Sequence, residues 1–287
     1  MKNLIFCEPS YRFNPLNDFL FLKVMGEKGD EKQLLGFLNA VLGRSGKKLI
    51  KTVDILENKT FTADIKSGKS CALDVKAVLE DETKVNIEVQ VRNDRNIERR
   101  SLFYWSRLYI KGLRQGQDYR ELPDVAAINI VDFDFPPGGG AHTCFHLRED
   151  ADRSLILSSA LEIHFINMVK WRRSGSRDLR NNPLDRWLVW LDAKSPPELV
   201  QEVLRMDSAI MAANERQEFV LQDEEALDIY ERRQKAEWDY ASGMNGARRE
   251  GEEKAKLQIA RNLLAKGSTP EFVRDITGLS LDEIEKL

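Results

Sequence analysis

The sequence predicts an α/β fold in which a β-sheet is flanked by helices and followed by a helical arm and a small helical module. Three observations predict it: two helical apolar stripes before residue 43, strand-like alternation in separate runs between 49 and 168, and helical periodicity beyond residue 182. A chain of 287 residues can bury a full core, and its length suits one large domain with a smaller appendage.

Asn17 is placed to cap a first helix whose apolar side carries Phe19, Leu20, Val24 and Met25, with Gly26 and Gly29 punctuating its end. A second helix is expected over 31–42, where Leu34, Leu35, Leu38, Val41 and Leu42 form a stripe closed by Gly43. Residues 49–56 change to alternation and β-branching, and two longer strands follow at 70–79 and 85–91. The polar connection Glu80-Asp81-Glu82-Thr83 suits a hairpin between them.

A helix is then expected over 94–116, with Ile97, Leu102, Trp105, Leu108 and Leu113 turned to the core, before a strand at 125–133. Pro136-Pro137-Gly138-Gly139-Gly140 marks an excursion, and strand-like pieces at 142–147 and 161–168 enlarge the sheet or flank it. After the polar loop 174–182 the pattern is helical. Residues 198–253 hold 15 Asp/Glu against 7 Lys/Arg, which reads as a solvated helix or interaction arm. Residues 257–287 form a module with its own apolar set: Ile259, Leu263, Leu264, Phe272, Val273, Ile276, Leu281, Ile284 and Leu287. Thr269-Pro270-Glu271 supplies a helix start inside it.

Charged residues make up 32% of the chain but nearly cancel, with a net charge of -3, so any nucleic-acid-binding surface must be local. Cys7, Cys71 and Cys144 are too few and too scattered for a disulfide framework, which points to a reducing cytoplasm. The first residues hold too short an apolar run for a secretory signal. No segment approaches the roughly 18 apolar residues of a membrane span.

Leu73-Asp74-Val75 sets an acid between apolar neighbours, where a buried, unpaired carboxylate would be costly. On the next strand, Glu88 and Gln90 share one side while Ile87, Val89 and Val91 take the other. A turn near Asp81 and Glu82 sets Asp74 opposite Gln90 or Glu88. Two such carboxylates and the Val89 carbonyl suffice for Mg²⁺, or Mn²⁺, which prefer oxygen ligands and retain waters. The ion would activate a water and neutralise charge on a phosphate, whereas the Gln90 amide can orient a water but take no proton. A surface hairpin with solvated acids is the other reading of the same spacing.

Five blocks in order carry a resemblance: Asn17-Asp18-Phe19-x-Phe21-x-Lys23, Phe37-Leu38-Asn39-Ala40-Val41-Leu42, Leu73-Asp74-Val75, Ile87-Glu88-Val89-Gln90 and Tyr104-Trp105-Ser106-Arg107-Leu108-Tyr109. Over about residues 13–260 the chain resembles the PD-(D/E)XK nuclease family transposases, the recombination-promoting nuclease group. The resemblance implies a restriction-endonuclease-like core with a mixed sheet, and a Mg²⁺-dependent DNA endonuclease linked to recombination or mobile elements. It implies Asp74 and Glu88 as metal ligands and Gln90 where the broader superfamily has lysine. Asp18 matches the acid that often completes such sites, and a helix-start acid favoured by the dipole is its alternative reading. A DNA-binding or assembly protein that has lost catalysis is the competing expectation. The domains expected are a nuclease-like domain at 1–195, the acidic arm at 196–256 and the module at 257–287.

Residues 92–120 hold 8 Lys/Arg against 3 Asp/Glu, and Arg107 and Lys111, one helical turn apart, are the candidate contacts to double-stranded DNA, with a solvated helix face as the other reading of the same charges. Lys170, Arg172, Arg173, Arg177 and Arg180 are a second basic candidate. In His142-Thr143-Cys144-Phe145-His146, alternation allows both histidines and the cysteine to share a strand face, as in a soft-metal site, but no fourth ligand is evident, and an irregular ribbon beside the glycines whose histidines touch only solvent is the other reading. The last module partly fits a helix-turn-helix with Gly278 in the turn. Asp282, Glu283 and Glu285 would repel phosphates, so packing or homo-oligomerisation is its expected role.

Overall fold

Asn17 caps the first helix as the sequence predicts: its side chain accepts from the Leu20 N–H at 3.2 Å, opening α1 (Asp18–Met25), which ends at Gly26. A computed structural model of the chain describes residues 12–43, 49–56, 75–113 and 116–287. In α2 (Lys32–Val41), Leu34, Leu38 and Val41 of the expected stripe are buried together with Phe37, while Leu35 and Leu42 are half-buried. The strands are β1 (Val53–Ile55), β2 (Val75–Leu79), β3 (Lys84–Gln90), β4 (Val125–Val131), β5 (His142–Phe145) and β6 (Leu161–Asn167). They form one mixed sheet in the order β1-β2-β3-β4-β6-β5.

The hairpin expected between β2 and β3 is present, antiparallel, with Val75 opposite Ile87. Its polar turn closes through Glu82 N–H to the Leu79 carbonyl at 3.0 Å and Thr83 N–H to Asp81 at 3.1 Å. The ladders from β3 to β4 and from β4 to β6 are parallel, and β5 returns antiparallel on the outer edge of β6. All seven residues of β4, Val-Ala-Ala-Ile-Asn-Ile-Val, are buried, which is why this segment reads as a continuous apolar run.

One sheet face carries Val85, Ile87, Val89, Ala126, Ile128 and Ile130 into the main core. The other face meets α3 (Ile97–Ile110) through a smaller cluster of Ile97, Ala127, Val131, Phe133, Leu161, Ile163 and Phe165. The inward stripe of α3 differs from the expected one. Ile97, Ser101 and Leu108 are buried, whereas Leu102 is 49% exposed. Ser101 turns inward because its hydroxyl donates to Asn129 Oδ1 at 2.7 Å, and Leu102 is then about 100° around the helix. The helix also stops short of 116. A Cβ on Gly112 would lie 2.3 Å from the Pro123 ring, and the chain turns at that close approach.

After β6 come α4 (Met168–Ser174), α5 (Pro183–Leu191), α6 (Pro197–Met206), α7 (Ser208–Leu221) and α8 (Glu224–Ala265). The acid-rich stretch is not solvated throughout: Val200, Val203, Leu204, Ile210, Ala213 and Val220 join the main core, because acids occupy the outer faces of amphipathic helices. Two compact units divide between Glu231 and Arg232. In the first unit α7 crosses α2 so closely that a Cβ on Gly36 would lie 2.3 Å from the Ala209 Cβ. Gly36→Val should therefore destabilise this unit by about 2–3 kcal/mol through overpacking, read as a lower urea midpoint of tryptophan fluorescence.

The second unit holds the remainder of α8 with α9 (Pro270–Thr277) and α10 (Leu281–Ile284). Thr269 caps α9, accepting from the Phe272 N–H at 3.4 Å, and Gly278 leaves it in the left-handed conformation at φ 71°. Ala260, Val273, Leu279 and Ile284 make its core. Ile259, Phe272, Ile276 and Leu281 of the expected apolar set are instead exposed. Among the described residues no helix is long and apolar enough to cross a membrane.

Candidate functional site

Strand alternation turns Asn86, Glu88 and Gln90 of β3 toward the α3 face, while Val85, Ile87 and Val89 enter the main core. All three polar residues are buried, Glu88 to 1% exposure. Glu88 is met by Arg100 of α3, whose Nε lies 2.6 Å from the carboxylate Oε1. The same guanidinium stands 5.5 Å from the centroid of the Tyr104 ring. Gln90 donates its Nε2 to the Arg92 carbonyl at 3.0 Å, which fixes the orientation of its amide.

The Gln90 Oε1 and the Asn86 Oδ1 are buried and, among the described residues, have no hydrogen-bond partner. A carboxylate with two such amide oxygens is a hard-oxygen donor set, the kind that suits Mg²⁺ or Mn²⁺ rather than a thiophilic ion. Beside it, Ser101 donates to Asn129 Oδ1, and Asn129 donates its Nδ2 to the His164 carbonyl at 3.0 Å. Because Glu88 pairs with Asn129 and Asn129 with Phe165, the polar row crosses two strands of the sheet and ends at an apolar side chain on the third.

Asp74 lies outside the described residues, so the predicted pairing of Asp74 with Glu88 or Gln90 does too. Asp18 occupies the first turn of α1, half-buried, and accepts from the Phe19 N–H at 2.8 Å; α1 packs against β3. Arg107 and Lys111 are exposed at the far end of α3, Arg107 lying 5.6 Å from the Phe103 ring centroid. Arg107 stands two helical turns, about 10 Å, beyond Arg100. The second basic candidate is largely consumed within the fold. Arg172 pairs with Asp132 at 2.7 Å and Asp192 at 3.1 Å, Arg173 with Asp134 at 2.9 Å, and Arg177 stacks on Trp171.

A second constellation stands at the outer edge of the sheet. His142 and Cys144 of β5 face β6 in register, Cys144 opposite His164 and His142 opposite Ile166, and Glu162 and His146 complete the group. The Cys144 sulfur lies 3.3 Å from His146 Nε2, 3.7 Å from His164 Nε2 and 3.8 Å from Glu162 Oε1. His164 Nε2 meets Glu162 Oε1 at 2.8 Å, and its Nδ1 meets His142 Nε2 at 2.9 Å. The neighbours crowding the sulfur, and then the Glu162 charge and hydrogen bond, push the Cys144 thiol up to about 12. The His142 imidazole is pushed down to about 4, by burial first and by His164 second. Without an ion, Cys144 is therefore a protonated thiol and a poor nucleophile at neutral pH.

Arg100, Glu162 and His164 escape the sequence patterns. Arg100 is one cation in a basic run, and nothing in the chain marks it as the partner of Glu88. Glu162-x-His164 did carry a signal, the same i, i+2 alternation as His142-x-Cys144-x-His146, but pairing of the two segments is needed to make it visible.

The family model described as "PD-(D/E)XK nuclease family transposase" matches residues 15–247, and "Rpn/YhgA-like nuclease family, C-terminal HTH domain" matches residues 253–287. No curated protein and no solved structure matches the chain. The second match shows that the last module, which the sequence fits only in part, is a helix-turn-helix domain. Its acids weighed against a DNA-facing helix, yet α9, the Gly278 turn and α10 belong to a helix-turn-helix domain. Nucleases of the PD-(D/E)XK kind typically use divalent metals, and the two domains together point to a nuclease- or transposase-related function on DNA. Matched over most of its length, the chain belongs to the PD-(D/E)XK nuclease family transposases and ends in an Rpn/YhgA-like helix-turn-helix domain.

Proposed function

We propose that this protein is a Mg²⁺-dependent DNA endonuclease acting on double-stranded DNA in the cytoplasm, in recombination or the movement of genetic elements. The observation that carries the reading is the buried Glu88 carboxylate on the central sheet, flanked by the unpartnered oxygens of Asn86 and Gln90. In this reading Glu88 and Asp74 hold the ion, and Asp18 is a further ligand. When bound, the ion supplies activation of the attacking water and neutralises charge on the scissile phosphate. Water provides the new P–O bond as one ester P–O bond of the backbone breaks.

The chain's own residues do the rest. Gln90 orients the water or donates to a phosphate oxygen, and as an amide it takes no proton. Arg100, ion-paired to Glu88, balances the carboxylate charge within the sheet. Arg107 and Lys111 offer exposed cations to phosphates along α3, and the helix-turn-helix domain docks the duplex.

The test is cleavage of supercoiled plasmid with Mg²⁺ by the wild type and by Asp74→Ala. Cutting by the wild type, loss in the variant and abolition by EDTA are expected. Equal cutting by both would remove Asp74 from the site. Tight duplex binding with no cleavage under Mg²⁺ or Mn²⁺ would favour the competing reading, a DNA-binding or assembly protein on a nuclease core.

A further inference from the structure

The chain contains three histidines, and all three meet at one place, around the exposed Cys144 and beside Glu162. Surface histidines placed for solubility would not converge from two strands upon a cysteine and a carboxylate. The geometry points to a transition-metal site of the zinc type, in which Cys144 Sγ, His146 Nε2, Glu162 Oε1 and His164 Nε2 are the four ligands.

Distances, donor types and support agree with this. Zinc holds nitrogen or oxygen at about 2.0 Å and sulfur at about 2.3 Å, so a tetrahedral site with one sulfur has edges of about 3.3 Å between its nitrogen and oxygen ligands and about 3.5 Å to the sulfur. The three separations from the Cys144 sulfur, 3.3, 3.7 and 3.8 Å, already lie within about 0.3 Å of that edge. The Glu162–His164 pair, hydrogen-bonded at 2.8 Å, needs to open by about half an ångström to admit the ion. One thiolate, two imidazoles and a carboxylate select a late first-row ion over Mg²⁺. Among the described residues, Cys144, His146 and Glu162 form a group of such donors whose ligand atoms all lie within 4.8 Å of one another, and His164 Nε2 adjoins that group at 3.7 Å from the sulfur and 2.8 Å from Glu162 Oε1.

The backbone explains why the group assembles. Cys144 and His164 are direct partners across an antiparallel ladder, and His146 and Glu162 lie two residues further along the two chains, so all four side chains share one face. His142 supplies the outer support. With His164 Nε2 turned to the ion, its Nδ1–H donates to His142 Nε2, the arrangement that fixes a ligating imidazole's tautomer. Binding releases the Cys144 thiol proton to solvent. Four protein ligands close the coordination sphere, so the ion is structural and clamps the edge strand β5 to β6. Glu162 and His164 alternate with Ile163 and Phe165, so the cluster lies on the sheet face opposite Glu88.

The experiment titrates the full-length, metal-stripped protein with Co²⁺ and then Zn²⁺, following the absorption spectrum. The wild type is expected to bind one Co²⁺ with a sulfur-to-cobalt charge-transfer band and the visible bands of tetrahedral cobalt, both removed by one equivalent of Zn²⁺. Cys144→Ser should abolish the charge-transfer band while leaving the far-UV circular dichroism unchanged, as its side chain is exposed. His146→Gln should weaken Zn²⁺ binding at least a hundredfold, and His142→Phe about 10–100-fold with the cobalt spectrum retained. Cys7→Ser/Cys71→Ser and Asp74→Ala should bind as the wild type does, which separates this site from the proposed nuclease centre. Absence of stoichiometric cobalt binding by the folded wild type, or a charge-transfer band that survives Cys144→Ser, would overturn the proposal.

Discussion

Glu88→Gln is expected to lower Mg²⁺-dependent DNA cleavage by about three orders of magnitude, the effect of several kcal/mol of lost transition-state stabilisation. The substitution preserves shape and one oxygen while removing the negative charge on which a divalent ion depends. Glu88 is 1% exposed, so no water can easily take its place as a ligand. The glutamine keeps an oxygen beside Arg100, whose side chain is 26% exposed, and the fold should survive. Plasmid cleavage, measured beside duplex-binding affinity and far-UV circular dichroism, checks this. A variant that binds DNA normally and cuts within tenfold of the wild-type rate would remove Glu88 from the catalytic assignment.

Trp187→Ala should destabilise the first unit by about 3–5 kcal/mol, the cost of emptying a large aromatic site that its surroundings cannot refill. Trp187 is fully buried and packs edge-on against Phe37 at 5.5 Å and Trp190 at 5.9 Å between ring centroids. Its indole Nε1 is buried without a hydrogen-bond partner among the described residues. Trp187→Phe keeps the ring contacts and deletes that unsatisfied donor, so it should cost much less than the alanine variant. Urea unfolding followed by circular dichroism distinguishes the two. Equal losses would mean that ring packing contributes little at this position.

Much of the architecture is legible in the residues because local rules and burial agree there. Asn17 reads as a cap and is one; β2 and β3 read as a hairpin around a polar turn and pair as such. The continuous apolar run of β4 belongs to a strand covered on both faces. The acid-rich stretch over 198–253 reads as solvated because charge counts ignore which side of a helix the acids occupy. Its valines, leucines and Ile210 fill the core from the other side.

What the sequence determined by itself is the order of the elements, the polar face of Glu88 and Gln90, and the shared face of His142, Cys144 and His146, all consequences of the two- and 3.6-residue periods. The tertiary structure alone decided the partners across that face. Arg100 reaches Glu88 only because α3 lies over the sheet, and Glu162 and His164 join Cys144 only because β5 turns back along β6 in that register. Periodicity fixes the side on which a residue points. Which residue meets it there depends on contacts between segments distant in the chain, and those are set by how the helices and strands bury one another.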